Sequence, residues 1–468
     1  MCNSKKISLI KYIIPSVITM TLYAIVLAVK GIYPFGINTI DYYDMAQQIA
    51  AFYYHVYDML HNDAGFFYNW YTALGVNMAM STSGCSNLSL FNLFFFFISR
   101  DALLKSLSIF HGIKLMCMSA TMYFYLHRAN KNTPYLFEVL ASVGYAFCGF
   151  VLVLYITNQW VDIAVLFPLI MYFYDRMLKN GHIKGYVITL SLTLIASYYL
   201  GFMILIFLFL YTGLKIFAEW IFERRAAKSS DSNKNNEVEE TRKETGRIHV
   251  LELGIGTVLS LMLSSFILVP QLTQMLSSAR FKNGNEKEGA IATYLEILSH
   301  VEGDYTTRWW SLLGISFACA IITVGIIKNR KDNKQVFMSV SLILMVVLEL
   351  FFESINLIWH FGSYVQYPIR NGFIIYFVFA YLSCYYAGKL FAGSCEKKGF
   401  ISLIASVVGF VTFIAWYSNN PGLPLRTVFH VTSAIMAAAF VYYIFIMIWK
   451  NGKYYSAFVG VLFCELLC

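Results

Sequence analysis

Residues 10–29 read IKYIIPSVITMTLYAIVLAV, an apolar run of about the length that crosses a bilayer. Residues 33–48 follow almost at once and read YPFGINTIDYYDMAQQ. They place two carboxylates, Asp41 and Asp44, within about a dozen residues of a membrane face. Acids are costly near a membrane, so this stretch is the first candidate for a functional site.

Helical periodicity begins at Asp44. Apolar side chains recur at the spacing of one helix face, namely Met45, Ile49, Phe52, Val56 and Leu60. Polar side chains share the neighbouring stripe, namely Asp44, Gln48, His55 and Asp58. We expect an amphipathic helix that lies at the interface and holds Asp44 toward water. A juxtamembrane helix with an ordinary solvated face would give the same pattern.

The composition is that of a membrane protein. Of the 468 residues, 58% are hydrophobic and 13% are charged, which is too apolar for a soluble domain. The net charge of +9 is spread through short hydrophilic breaks, so it indicates topology and gives no reason to expect a nucleic-acid partner. Nine cysteines without CxxC or Cys/His spacing argue against a disulfide framework or a zinc site.

The distribution of lysine and arginine predicts the topology. Lys5 and Lys6 precede the first run, so we expect a multi-pass protein of the cell membrane with a cytoplasmic N-terminus. The run 88–98 is too short to cross, and we interpret it as re-entrant or interfacial. The remaining predicted spans are 104–126, 134–156, 161–176, 183–199, 201–222, 249–269, 310–327, 336–352, 371–391, 400–417, 428–449 and 454–468. The predicted fold is therefore an all-α transmembrane bundle of about 13 spans.

Three regions follow from this topology. Residues 1–222 form a first membrane bundle, with an external loop at 30–103 that holds interfacial helices. Residues 223–248 are the one strongly charged stretch and form a cytoplasmic linker of low hydrophobicity. Residues 249–468 form a second bundle with an external loop at 271–309.

The predicted external span ends hold most of the informative polar residues. Asp41 and Asp44 come first, then Trp160 and Asp162 in NQWVD, then His360 and Arg370 before a later span. Together they would suit a site that binds a phosphate and activates a hydroxyl. Ordinary roles fit them as well. Trp160 is typical of an interfacial belt, His360 of a satisfied loop histidine, and Arg370 of a snorkelling side chain.

Motifs of soluble enzymes are missing from the sequence. It contains no P-loop, GxSxG elbow, HExxH or dinucleotide fingerprint. If the protein is an enzyme, we expect a lipid-borne donor.

Several short motifs occur in the order seen in one bacterial family. They are PFG, D-x-x-x-Q at 44–48, YNW-x-x-x-LG-x-N at 68–77, FNL at 91–93, W-x-D at 160–162 followed by Pro168, SYYLGFM at 197–203, and PIRNGF ending a tryptophan-to-arginine stretch. With this order the chain resembles the YfhO family of multi-pass membrane proteins. The matches extend over about 370 residues, in a family whose members are commonly longer, with a further external region.

The resemblance implies a GT-C type glycosyltransferase on the external face. The implied donor is a polyprenyl-phosphate-linked sugar taken from membrane lipid, and the implied acceptor is a cell-envelope polymer such as teichoic acid. By motif position Asp44 would be the catalytic base, with Asp41 as the fallback. The expected substrate-binding residues are Gln48, Trp70, Asn77, Asn92, Trp160, Asp162, Arg308, His360 and Arg370. A divalent metal beside the two acids is possible and is not required by the sequence.

Two other functions use the same features. A transporter or flippase of a lipid-linked sugar also needs spans, aromatic side chains and a few charges, but should place ionisable residues near the midplane with access from both sides. A non-catalytic membrane scaffold is the third interpretation, and the presence of Asp44, Gln48 and Arg370 argues against it.

Overall fold

The structure is a computed structural model that describes residues 2–65, 68, 70, 88–130, 132–229, 249–277, 316–360 and 369–391. Within these residues the chain forms helices and no β-strand, so the expected helical membrane bundle is confirmed. The described residues do not include the spans predicted at 400–417, 428–449 and 454–468, or the predicted substrate-binding residues Asn77 and Arg308.

Thirteen α-helices are described. They are α1 (Cys2–Val29), α2 (Ala50–Leu60), α3 (Leu103–Ala129), α4 (Tyr135–Ala146), α5 (Gly149–Leu154), α6 (Val161–Asn180), α7 (Lys184–Ala196), α8 (Tyr198–Ser229), α9 (Val250–Ser277), α10 (Ser316–Lys328), α11 (Asn333–Phe351), α12 (Glu353–Trp359) and α13 (Gly372–Leu390). Three short 3₁₀ segments lie at Leu90–Phe97, Arg100–Ala102 and Tyr155–Thr157, and a π-helical turn lies at Met45–Ile49.

Six segments of the described chain are long and apolar enough to cross a membrane. They are Ile10–Val29, Tyr135–Thr157, Tyr198–Arg224, Val250–Thr273, Asn333–Phe351 and Gly372–Leu390. The predicted total of about 13 spans is not established by these residues. The predicted division into two bundles and a linker stays a prediction. Residues of both predicted bundles belong to one hydrophobic core.

Helix boundaries differ from the predicted ones in three places. The break between the spans predicted at 183–199 and 201–222 falls at Ser197, which has extended backbone and accepts a hydrogen bond from the Leu200 N–H. Helix α9 continues through Pro270 to Ser277, so the first residues assigned to the second loop are helical. Helix α8 continues to Ser229, into the predicted linker.

Helix ends gather at two opposite ends of the bundle. Trp160, Tyr199 and Arg370 stand at the starts of α6, α8 and α13, and we call their end of the bundle the arginine end. Three lysines that line a common cavity mark the opposite, lysine end, namely Lys179, Lys215 and Lys334. Residues predicted to be external therefore lie at the arginine end, and residues predicted to be internal lie at the lysine end. Which end faces the cytoplasm stays a prediction.

The core between the two ends is aromatic. The Phe167 ring of α6 lies 5.6 Å from Phe207 of α8, 5.4 Å from Phe373 and 4.8 Å from Phe377 of α13, between ring centroids. All four side chains are buried. Edge-to-face aromatic packing of this kind fixes the relative positions of α6, α8 and α13, which carry the arginine end.

Candidate functional site

The loop after α1 is anchored to α3. The Ser108 hydroxyl donates to the Tyr33 carbonyl at 2.6 Å, and the Tyr23 hydroxyl donates to the Ser108 carbonyl at 3.1 Å. Gly36 makes this loop possible, because a Cβ there would lie 2.2 Å from the Gly31 carbonyl oxygen. The PFG motif is thus explained by a close approach of two backbone segments.

Asp41 and Asp44 follow this anchored loop and are both half-buried. The Thr39 hydroxyl donates to the Asp41 carboxylate. Asp44 directly precedes the π-helical turn and does not cap it, and its carboxylate forms no hydrogen bond or ion pair with the described residues. Among the described residues, the Asp41 carboxylate therefore has a hydrogen-bond donor and the Asp44 carboxylate has none.

The helix after Asp44 has a wider buried face than the sequence predicts. Met45, Ile49, Phe52 and Val56 are buried as expected, but His55, expected on the polar stripe, is buried too. A π-helical turn at Met45–Ile49 directly precedes this helix. Burial lowers the pKa of His55, an effect that the nearby Asp58 opposes.

This interfacial segment packs beside the start of α6. Met45, Ile49 and Ile156 belong to one buried cluster, and Ile156 lies four residues before Trp160. On the other side, Arg100 holds Asp58 through two hydrogen bonds of 2.7 and 3.1 Å. Asp44 is thereby brought to the same end of the bundle as Trp160.

A buried ion pair between α3 and α6 lies next to this segment. The Lys114 ammonium of α3 lies 2.6 Å from the Asp162 carboxylate, with side-chain exposures of 0% and 4%. Lys114 also donates to the Asn158 carbonyl at 2.9 Å, and the Ser89 hydroxyl donates to Asp162 at 2.5 Å. The ammonium lies 4.3 Å from the centre of the Phe110 ring. Asp162 is therefore a charge-balanced anchor that ties the first loop, α3 and α6 together.

Arg370 lies in a pocket of aromatic rings. Its guanidinium donates to the Tyr199 hydroxyl at 3.1 Å and lies 5.2 Å from the centre of the Trp160 ring. The Tyr199 ring in turn lies 6.2 Å from His360, whose Nδ1 is 2.7 Å from the Asn356 carbonyl. Trp160 and His360 are buried, whereas Arg370 is half-buried. Trp160 is therefore not a belt residue, since its ring faces the protein interior.

The residue after Arg370 fixes the start of α13. The Asn371 amide donates to both carboxylate oxygens of Glu349, at 2.7 and 2.9 Å, and both side chains are fully buried. Glu349 lies near the end of α11, so this contact joins two helix ends at the level of Arg370. Hydrogen bonds to a buried carboxylate are strong, and they hold the backbone that carries Arg370.

The other predicted site residues are scattered. Asn92 is buried on the 3₁₀ segment Leu90–Phe97. Gln48 is exposed, and Trp70 is 72% exposed with its ring against Tyr68. Gln48 belongs to the π-helical turn that packs beside the start of α6, but its side chain is exposed. No contact among the described residues brings Trp70 to the arginine end, and the roles of both residues stay predictions.

Possible metal ligands do not cluster in the described chain. No group of three His, Cys, Asp or Glu side chains among the described residues is placed to hold a metal ion. Asp41 and Asp44 are the two acids that the sequence suggested for a metal. A divalent metal therefore stays a prediction, and no step below depends on one.

Comparison with known proteins identifies the family. The model of the family described as bacterial membrane protein YfhO matches residues 16–468. The chain belongs to the YfhO family. No curated protein and no solved structure matches the chain significantly.

In this YfhO family member, residues from separate motifs meet at the arginine end. The W-x-D motif supplies Trp160 and Asp162, SYYLGFM supplies Tyr199 and PIRNGF supplies Arg370. Ser89, which lies two residues before the FNL motif, donates to Asp162. Motifs far apart in sequence therefore build one local structure.

Sequence reasoning missed Lys114, Tyr199 and Glu349. Lys114 and Glu349 are charges inside long apolar helices, and the rarity of ionisable residues in such segments is the signal that would have found them. Tyr199 lay within a quoted motif, but tyrosine is too common in this chain to stand out.

Proposed function

We propose that the protein is a GT-C type glycosyltransferase that transfers a sugar from a polyprenyl-phosphate donor to a cell-envelope polymer such as teichoic acid, on the external face of the membrane. The observation that supports it best is that Asp44, which has no hydrogen bond or ion pair with the described residues, and Arg370, which lies against the Trp160 and Tyr199 rings, lie at the same end of the bundle. Such a site has a candidate base and a candidate phosphate ligand near one membrane face.

In the proposed reaction Asp44 accepts the proton of the acceptor hydroxyl. The hydroxyl oxygen attacks the anomeric carbon of the sugar, and the bond between that carbon and the phosphate oxygen breaks. The phosphate leaves with the bonding electrons, so a single displacement inverts the anomeric centre. A carboxylate base of this kind contributes about 10²- to 10⁴-fold to the rate.

Arg370 would bind the donor phosphate. Its guanidinium is always charged, and its planar fork matches phosphate oxygens. Tyr199 and Trp160 fix its direction, so the charge is oriented before the donor arrives. Because Trp160 is buried, we assign it a positioning role and not a direct contact with the sugar.

Asp162 would not be a second base. Its carboxylate is paired with Lys114 and bonded to Ser89, which leaves it poorly available for proton transfer. We assign it the task of holding the first loop against α6. Because Lys114 neutralises the Asp162 carboxylate, that carboxylate does not repel the donor phosphate.

The test is sugar transfer from a polyprenyl-phosphate donor to envelope polymer in membranes that carry matched amounts of protein. Asp44→Asn should reduce transfer by about 10²-fold or more, because the amide cannot accept the proton. Asp63→Asn is the matched control, since Asp63 is an exposed acid of the same loop. Equal activities for wild type and Asp44→Asn would refute the assignment of the base.

One observation favours a second candidate, a flippase for a lipid-linked sugar. Helices α6, α8, α11 and α13 carry the arginine end and also line a polar cavity at the lysine end. Polar sites at both ends of the same helices would give a lipid headgroup a place to bind in each leaflet. Movement of donor lipid across the bilayer without sugar transfer would support this function.

A further inference from the structure

The cavity at the lysine end lies among the ends of five helices. It encloses about 390 Å³ between α3, α6, α8, α11 and α13. A volume of this size is typical of small-ligand sites. Along α6 it is separated from Trp160 by about 22 Å, so it is distinct from the proposed catalytic site.

One cation of the cavity wall is held in place. The Lys215 ammonium lies 3.0 Å from the Asp175 carboxylate and 4.3 Å from the centre of the Tyr211 ring. The second Asp175 oxygen accepts a hydrogen bond from the Tyr125 hydroxyl at 3.3 Å. Lys215 is half-buried, so its position is defined before any ligand binds.

Two further cations of the wall lack a carboxylate partner. Lys179 and Lys334 form no ion pair with the described residues, and both are exposed. The wall carries three acids, but Asp175 is paired with Lys215 and Asp332 with Lys389, the latter at 3.2 Å. The third acid, Glu219, interacts electrostatically with Lys334. With Asp332 paired to Lys389 outside the wall, the described wall keeps a single excess positive charge, at Lys179, which favours a ligand with negative charge.

The surroundings of the cavity are apolar. Leu178, Met338, Leu342 and Leu382 complete its wall. Beside it, α11 exposes Leu344 at 48%, and α8 exposes Phe217 at 50%. Exposed apolar side chains on membrane-spanning helices face lipid chains. A ligand seated on the lysines could therefore extend its own chains along α8 and α11.

We propose that this cavity binds the phosphate headgroup of a lipid from the leaflet at the lysine end. Lys179 and Lys334 bind the phosphate oxygens and Lys215 forms the floor of the site. The acyl chains lie against the exposed apolar side chains of α8 and α11. Basic pockets between membrane helices bind anionic headgroups in this way. The proposal concerns binding alone and does not depend on sugar transfer.

The test is a binding titration of the purified full chain in neutral detergent. The probes are short-chain phosphatidylglycerol, below its critical micelle concentration, and inorganic phosphate. The double variant Lys179→Gln/Lys334→Gln should bind the lipid about 30-fold more weakly than wild type, since each lysine near a lipid surface contributes about fivefold. The matched control is Lys184→Gln/Lys328→Gln, which removes two exposed lysines near the same end that do not line this cavity.

The lipid should bind wild type saturably, and the control pair should leave its affinity within about twofold. Equal affinities for wild type and Lys179→Gln/Lys334→Gln would overturn the proposal, provided that both proteins elute as single species. Inorganic phosphate that binds as tightly as the lipid would overturn the lipid as the source of the phosphate. A loss of sugar transfer would not bear on either result.

Discussion

Replacing Lys114 by methionine should destabilise the protein more than any exposed lysine substitution. Methionine fills a similar volume but leaves the Asp162 carboxylate buried without its cation. At the observed separation of 2.6 Å the pair attracts by about 6 kcal/mol at an effective dielectric constant of about 20. Because Ser89 still donates to Asp162, we expect the free energy of unfolding to fall by about 3 to 5 kcal/mol.

The assay is denaturant unfolding in detergent, followed by tryptophan fluorescence. Lys105→Met, an exposed position on the same helix, should change the free energy of unfolding by less than about 0.5 kcal/mol. The double variant Lys114→Met/Asp162→Asn should recover much of the loss, because no charge is then left buried. Lys114→Met as stable as Lys105→Met, or a double variant less stable than Lys114→Met, would refute the account of this ion pair.

Three further predictions concern the frame of the site. Gly36→Ala should abolish sugar transfer while the bundle stays folded, because the added Cβ would meet the loop backbone. Arg370→Lys should raise the KM for the donor by about tenfold, since an ammonium cannot reproduce the bidentate fork. Asn371→Leu should lower the free energy of unfolding by about 2 to 3 kcal/mol, because it removes two hydrogen bonds from the buried Glu349 carboxylate.

Each of these predictions has its own control. Gly254→Ala, in open space on α9, should keep full transfer, so an equal loss at both glycines would contradict the loop argument. For Arg370→Lys, a fall in kcat with unchanged KM would contradict donor binding. Asn371→Leu combined with Glu349→Gln should regain stability, and a further loss would show that charge burial is not the cause.

The six described segments that can cross a membrane all fall within a few residues of predicted spans, and the contacts between their ends were not predictable. Hydrophobic runs define where a helix can lie in a membrane, and the alternation of lysines separates its two ends. The pairing of Lys114 with Asp162 depends on two helices far apart in sequence, which no local pattern specifies. The burial of His55 was not predictable either, because the helical periodicity placed it on the polar stripe and the neighbours that cover it come from other segments.

Trp160 illustrates the same limit. A tryptophan beside polar residues at a span end is typical of the interface, and the sequence favoured that role. Its burial follows from Tyr199 and Arg370, which approach from α8 and from the start of α13. The Trp160 ring therefore packs against the Arg370 guanidinium and does not lie at the lipid surface.

The most direct test of the proposed transfer uses the purified full chain in proteoliposomes with a radiolabelled polyprenyl-phosphate sugar and an acceptor that cannot cross the bilayer. We predict that label moves covalently to the acceptor on the side of the arginine end, and that Asp44→Asn prevents it. Label that crosses the bilayer while it stays on its lipid carrier would contradict the transferase and assign the protein to lipid transport.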